Sequence, residues 1–129
     1  MTGKAAQGRA TRPPLQAHWK VWIERDGTVL ISDFRAGLLE SIQSHGSVAG
    51  AAQDLGLPNR TAWKKLREME KAAGVPLVRS VSGGAMGGRS TLTRAALRML
   101  EAFARVAGPA AQAVDQGFQA EARHFEPPD

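Results

Sequence analysis

The chain contains no cysteine, which excludes disulfides and thiolate-ligated zinc. It has no apolar run near the length needed to cross a bilayer. The N-terminal stretch MTGKAAQGRATRPPLQ lacks the apolar centre of a secretory signal, so a cytoplasmic protein is the expectation. Residues 1–17 are expected to form a disordered tail. Histidine is scarce: His18, His45 and His124 have no second ligand at helical spacing, and no acidic cluster assists them. A metal site, a catalytic dyad or a Ser/His/Asp arrangement is therefore not expected, and neither an enzyme nor a bound cofactor is indicated. His45 fits the C-terminus of a helix, where the dipole favours it.

What is present is basic charge, unevenly spread. Residues 1–98 carry fifteen Lys or Arg against seven Asp or Glu, and residues 99–129 carry two against five. A polyanion would meet the first part. With 129 residues, 43% of them hydrophobic, the chain fits one domain with a modest core.

The most informative stretch is GSVAGAAQDLGLPNRTAWKKLREM, from Gly46 to Met69. Ser47 is placed to cap a short helix on which Val48, Ala51, Ala52 and Leu55 share one side. Gly56 suits a left-handed C-cap, and Pro58 suits the first turn of a second helix running from about Pro58 to Ala73. On that helix Ala62, Leu66, Met69 and Ala73 form an apolar face. Arg60, Lys64, Arg67 and Lys71 lie opposite, with Thr61 and Glu68 beside them. This is the layout of a helix-turn-helix, whose second helix enters the DNA major groove. Asn59, Arg60 and Lys64 are the candidates for reading bases, because Arg and Lys pair with guanine and Asn with adenine. Lys65 lies toward the flank and is a candidate for phosphate. The plainer alternative is a solvated charged face, with Glu68 and Glu70 as local partners. Trp63 is expected to pack at the edge of the core.

The flanks complete a fold. HWKVWIERDGTVLI reads as a β-hairpin around Asp26-Gly27, with Trp19, Val21 and Ile23 on one face. A first helix is expected from Ser32 or Asp33 to His45, with Phe34, Leu38 and Ile42 facing the core. After the motif, VSGGAMGGRSTLT reads as two short strands around a glycine-rich tip, a wing flanked by Arg79 and Arg89. Thr93 then caps a long helix with an apolar stripe of Ala96, Leu97, Leu100, Phe103, Ala104 and Ala107. Gly108-Pro109 is expected to end or kink it, with a second helical segment from Ala110 to about His124. The fold class is mainly α with small β: a winged helix-turn-helix over residues 18–107 and a C-terminal extension over 108–129.

From about His18 to Ala107 the chain resembles the N-terminal domain of the molybdate-responsive ModE regulator family, related to the DNA-binding domain of LysR-type regulators. The residues that carry the resemblance are LLESIQSHGSVAGAAQDLG, Ala62-Trp63, and the SGGAMGGRSTLT wing leading into a helix. The resemblance implies a winged helix-turn-helix that binds double-stranded DNA as a homodimer and controls transcription. Pro58-Asn59 stands where members have Ser-Tyr, which bears on base preference. The family's molybdate-binding portion follows the long helix and has no counterpart before Asp129, so no residue is assigned to molybdate. Three modes of control stay open: a separate effector-sensing partner chain, constitutive action, or a small anion bound at the dimer interface.

On this reading Ser47 and the helix N-termini hold phosphates through backbone N–H groups, and Arg89 grips the adjacent backbone or minor groove. Two competing readings differ in what they require. Gly83 to Ser90 nearly matches a phosphate-cradling loop, but that motif needs a helix starting at Arg89-Ser90. A protein-docking winged helix without DNA binding would have no use for base-reading side chains on one helix face.

Overall fold

Three hydroxyl side chains set where helices begin. Ser32 Oγ accepts from the Arg35 backbone N–H (3.2 Å), Ser47 Oγ from Gly50 (2.8 Å) and Thr93 Oγ1 from Ala96 (3.2 Å). Each satisfies a donor that the helix itself leaves unpaired. The computed structural model describes residues 12–81 and 88–128. Residues 1–11 of the expected tail and the wing tip at 82–87 lie outside them. The elements in order are β1 (Trp22–Arg25), β2 (Thr28–Ser32), α1 (Asp33–His45), α2 (Val48–Asp54), α3 (Asn59–Ala73), β3 (Val78–Val81), β4 (Arg89–Leu92) and α4 (Arg94–Glu121). A 3-10 turn, Ala122–Phe125, follows.

The mainly α, winged helix-turn-helix architecture with an N-terminal hairpin is the one expected. β1 and β2 pair antiparallel through a turn in which Asp26 and Gly27 both have positive φ (52° and 82°). That is the conformation that Asp-Gly adopts most readily. The register skips Leu30, so Ile23 faces Ile31 while Glu24 faces Val29. The strand is shorter than expected: it starts at Trp22, and Trp19 and Val21 precede it. Ile31 is buried, but Ile23 across from it is exposed. β3 and β4 pair antiparallel as the two strands of the wing.

The core is built from α1 (Leu38, Leu39, Ile42), α2 (Val48, Ala51, Ala52) and α3 (Ala62, Leu66, Met69), closed by Leu77, Leu92 and Ala96. Two expected core positions move. Phe34 is exposed, because the first turn of the helix carries it past the edge of the core; Leu39 takes part instead. On α3 the deeper residue is Ala72, while Ala73 is only partly covered.

β4 is tied directly to the helix-turn-helix. Ser90 N donates to the Gly46 carbonyl (2.7 Å) and Leu92 N to Gln43 Oε1 (3.3 Å). Gly46 ends α1 in the left-handed conformation at φ 74°, which lets the chain reverse into α2. Gly50 has a different constraint. A Cβ there would fall 2.8 Å from Ser47 Oγ and 3.0 Å from His45 Cβ. Gly50→Ala is expected to destabilise the fold by roughly 1–3 kcal/mol, against the usual helical preference for Ala, with urea unfolding as the measurement.

Pro109 does not end the long helix; α4 continues through it to Glu121. The proline removes the N–H that would bond to the Arg105 carbonyl, but the alanine-rich segment that follows resumes the helix at once. The chain divides into two units at this proline: Lys20–Pro109 is one, and residues on either side of that span form the other. In the second, the Phe118 and Phe125 rings lie 6.1 Å apart, and Arg12 meets Glu126 at 3.4 Å. Both ends of that ion pair are largely exposed, so it contributes little. Among the described residues no helix is long and apolar enough to cross a membrane.

Candidate nucleic-acid interface

α3 has two chemically opposite sides. Ala62, Leu66 and Met69 are buried, whereas Asn59, Arg60, Lys64, Arg67 and Lys71 are exposed. The 3.6-residue repeat gathers the four cations into one ridge pointing away from the core. Arg67 is the most constrained of them. Its guanidinium lies 5.1 Å over the Trp63 ring and 3.6 Å from Glu70, yet the side chain is 71% exposed. Trp63 packs against the core on its other side, so it is a partly buried platform, as expected.

The other expected site residues fall elsewhere. Arg89 lies against the α1–α2 turn that Ser47 follows: a Cβ on Gly46 would lie 3.7 Å from the Arg89 guanidinium. Thr61 is half-buried on the flank of the ridge. Lys65 lies about 100° round the helix from Lys64 and points away from the ridge. Its ammonium sits 5.4 Å over the Phe34 ring.

The contacts that fix the ridge were not legible as local patterns. Arg35 on α1 donates to the Lys65 carbonyl (3.1 Å) and to Glu68 Oε1 (3.0 Å). Arg25 on β1 donates to the Ala72 carbonyl (2.7 Å), one of the acceptors a helix end leaves unpaired. Glu70 Oε2 accepts from the backbone N–H groups of Leu77 (2.8 Å) and Val78 (3.3 Å), anchoring the start of β3 to α3. Glu68 and Glu70, expected only as local partners of the ridge, are therefore structural. Glu70→Ala is expected to strand two backbone donors and cost about 1–3 kcal/mol, read as a fall in thermal midpoint.

The structure does gather a Ser/His/Asp group that sequence separation hides. Ser41 Oγ donates to Asp54 Oδ2 (2.9 Å), His45 Nδ1 faces the Ser41 carbonyl (3.0 Å), and His45 Nε2 is 4.0 Å from Asp54 Oδ1. Ser41 Oγ also lies 3.3 Å from His45 Nδ1, but its proton goes to the Asp54 carboxylate, and Ser41 is buried. The group clamps the end of α1 to the end of α2; it does not activate a nucleophile. The phosphate-loop alternative also fails on geometry, since Arg89 and Ser90 lie in strand β4 where that motif needs a helix.

The profile of the family described as "Bacterial regulatory helix-turn-helix protein, lysR family" matches residues 37–97, from α1 into the first turn of α4. Residues 37–97 form a lysR-family helix-turn-helix domain. The family is one of DNA-binding transcriptional regulators. The chain is similar to the molybdenum-pterin-binding protein MopA of Rhodobacter capsulatus, at 33% identity over 92 residues, 71% of this chain and 35% of that protein. It is also similar to the molybdenum transport protein ModE of Azotobacter vinelandii, at 38% identity over 71 residues, 55% of this chain and 26% of that one. The DNA-binding transcriptional dual regulator ModE of Escherichia coli (strain K12) is 33% identical over 69 residues, 54% of this chain and 26% of the relative. The matches thus span about a third or less of the length of these relatives. They cover the ModE-like helix-turn-helix region.

Proposed function

We propose that this chain is a sequence-specific transcriptional regulator that binds double-stranded DNA as a homodimer and has no enzymatic activity. The observation that carries the reading is the ridge of Asn59, Arg60, Lys64, Arg67 and Lys71, exposed on a helix whose opposite side is locked into the core. Asn59, Arg60 and Lys64 read base edges in the major groove. Arg67, held against Trp63, and Thr61 on the flank meet phosphates. Ser47 Oγ is occupied as an acceptor by Gly50 N–H, which leaves its hydroxyl proton for a phosphate. Arg89 enters the adjacent backbone or minor groove beside it.

The homodimer is supported by apolar surface along α4. Leu97 and Val106 are exposed, and a groove of about 240 Å³ lined by Ile23, Leu30, Met99, Phe103 and Val106 opens beside the helix. Molybdenum figures in the names of relatives; here it is assigned to no residue. Selection of bound sequences from a random duplex pool tests the proposal. A near-palindromic consensus is the expected result, because two-fold protein symmetry demands symmetric half-sites. Recovery of unenriched sequence would overturn specific recognition, and a single unpaired half-site would overturn the dimer.

A further inference from the structure

The flank of α3 that carries Lys65 borders a second surface, independent of the cationic ridge. A groove of about 340 Å³ lies there, lined chiefly by Lys20, Trp22, Phe34, Arg35 and Lys65. Trp22 is 47% exposed and Phe34 42%, an unusual outlay of aromatic surface for so small a unit. Each ring has an ammonium over its face: Lys20 at 5.9 Å from Trp22, and Lys65 at 5.4 Å from Phe34. Among the described residues the lining holds three cations and no carboxylate. Glu68 neutralises Arg35, and Glu24 is held by the Trp22 indole N–H at 2.8 Å. Lys20 and Lys65 thus have ring faces as their partners, and exposed cation–π contacts are weak enough to give way to an anion.

We propose that this groove docks an acidic segment of a partner protein, its carboxylates on Lys20 and Lys65 and an apolar side chain between Trp22 and Phe34. Charge decides the sign of the occupant, since a cationic lining repels a basic one. The aromatic floor decides its class. A phosphate backbone is held by cations and N–H groups and gains little from exposed Trp and Phe faces, whereas aromatic anchors dominate protein–protein interfaces. The groove is also set round the helix from the DNA-facing ridge, so an occupant and a duplex can be held together.

The test is a selection of displayed random twelve-residue peptides against the full chain, followed by binding of the enriched peptide to three proteins: the parent, Lys20→Glu and Phe34→Ala. The expected result is enrichment of Asp- and Glu-rich peptides bearing Leu, Phe or Trp, with affinity at least tenfold weaker for either variant. In two-dimensional NMR the peptide should shift the Trp22 Nε1–H signal, which the Glu24 bond makes a distinct reporter. Both variants should keep the parent's melting temperature and duplex affinity within a factor of two. Enrichment of non-acidic peptides, absence of enrichment, equal binding to all three proteins, or a still Trp22 signal would each overturn the proposal. A DNA duplex that shifts the same signal and loses affinity in Lys20→Glu would assign the groove to DNA instead.

Discussion

Reversing two charges, Arg60→Glu with Lys64→Glu, should abolish retention of the selected duplex while leaving the protein folded. Both side chains project from the exposed ridge of α3 and have no role in the core. Surface changes of that kind move stability by about 0.5 kcal/mol or less. Each side chain that reads a base edge is worth about 1–3 kcal/mol of discrimination, so removing two should take away roughly 1.5 to 4 decades of affinity. Repulsion from phosphates adds to that deficit. Fluorescence anisotropy of a labelled consensus duplex measures the affinity, and thermal unfolding of the same samples checks the fold. Unchanged affinity in a folded double variant would leave the ridge as a solvated face and favour the docking reading of the winged helix.

The same measurement separates base-reading from phosphate-holding residues. Arg67 lies stacked on Trp63 beside Glu70, a geometry that fixes a cation without aiming it at a particular base. Removing a cation that holds a phosphate weakens all sequences alike and lowers the slope of log affinity against log salt by about 0.9. Removing Arg60 should instead relax the consensus at one position.

What could be read from the sequence was what depends on near neighbours. The caps at Ser47 and Thr93, the Asp26-Gly27 turn and the two faces of α3 each follow from residues within four positions of one another. The same short-range signals put hairpin, helix-turn-helix, wing and long helix in order, and the resemblance to ModE-type domains agreed with that order. What escaped was decided by distant partners. Lys65 reads as a flanking cation for phosphate until Phe34, thirty-one positions earlier, is found beneath its ammonium. Glu70 looks like a surface partner for Arg67 until the chain returns after Pro76 to place two N–H groups on its carboxylate. Of the two outcomes expected at Pro109, an end is excluded: the alanine-rich segment on its C-terminal side carries the helix on to Glu121.

Leu66→Ala should fail in the opposite way from the charge reversal. Leu66 is 1% exposed and sits on the buried side of α3, among residues of α1, α2 and the start of β3. Truncating a fully buried leucine removes its transfer energy and leaves a cavity, a cost of about 2–5 kcal/mol. A domain of this size has only about 5–15 kcal/mol in total, so a substantial part of its stability should go. Urea unfolding should show a lower midpoint with an unchanged slope. The ridge itself keeps all its side chains, so the folded fraction should bind the consensus duplex with nearly the parent's affinity. Duplex at one hundred times its dissociation constant should then recover about 2.7 kcal/mol, because it binds only the folded state. The charge-reversed protein should gain nothing from the same duplex. A Leu66→Ala protein that stays as stable as the parent would mean that α3 does not lean on the core as described, and a stable protein that cannot bind would mean that the cavity had shifted the ridge.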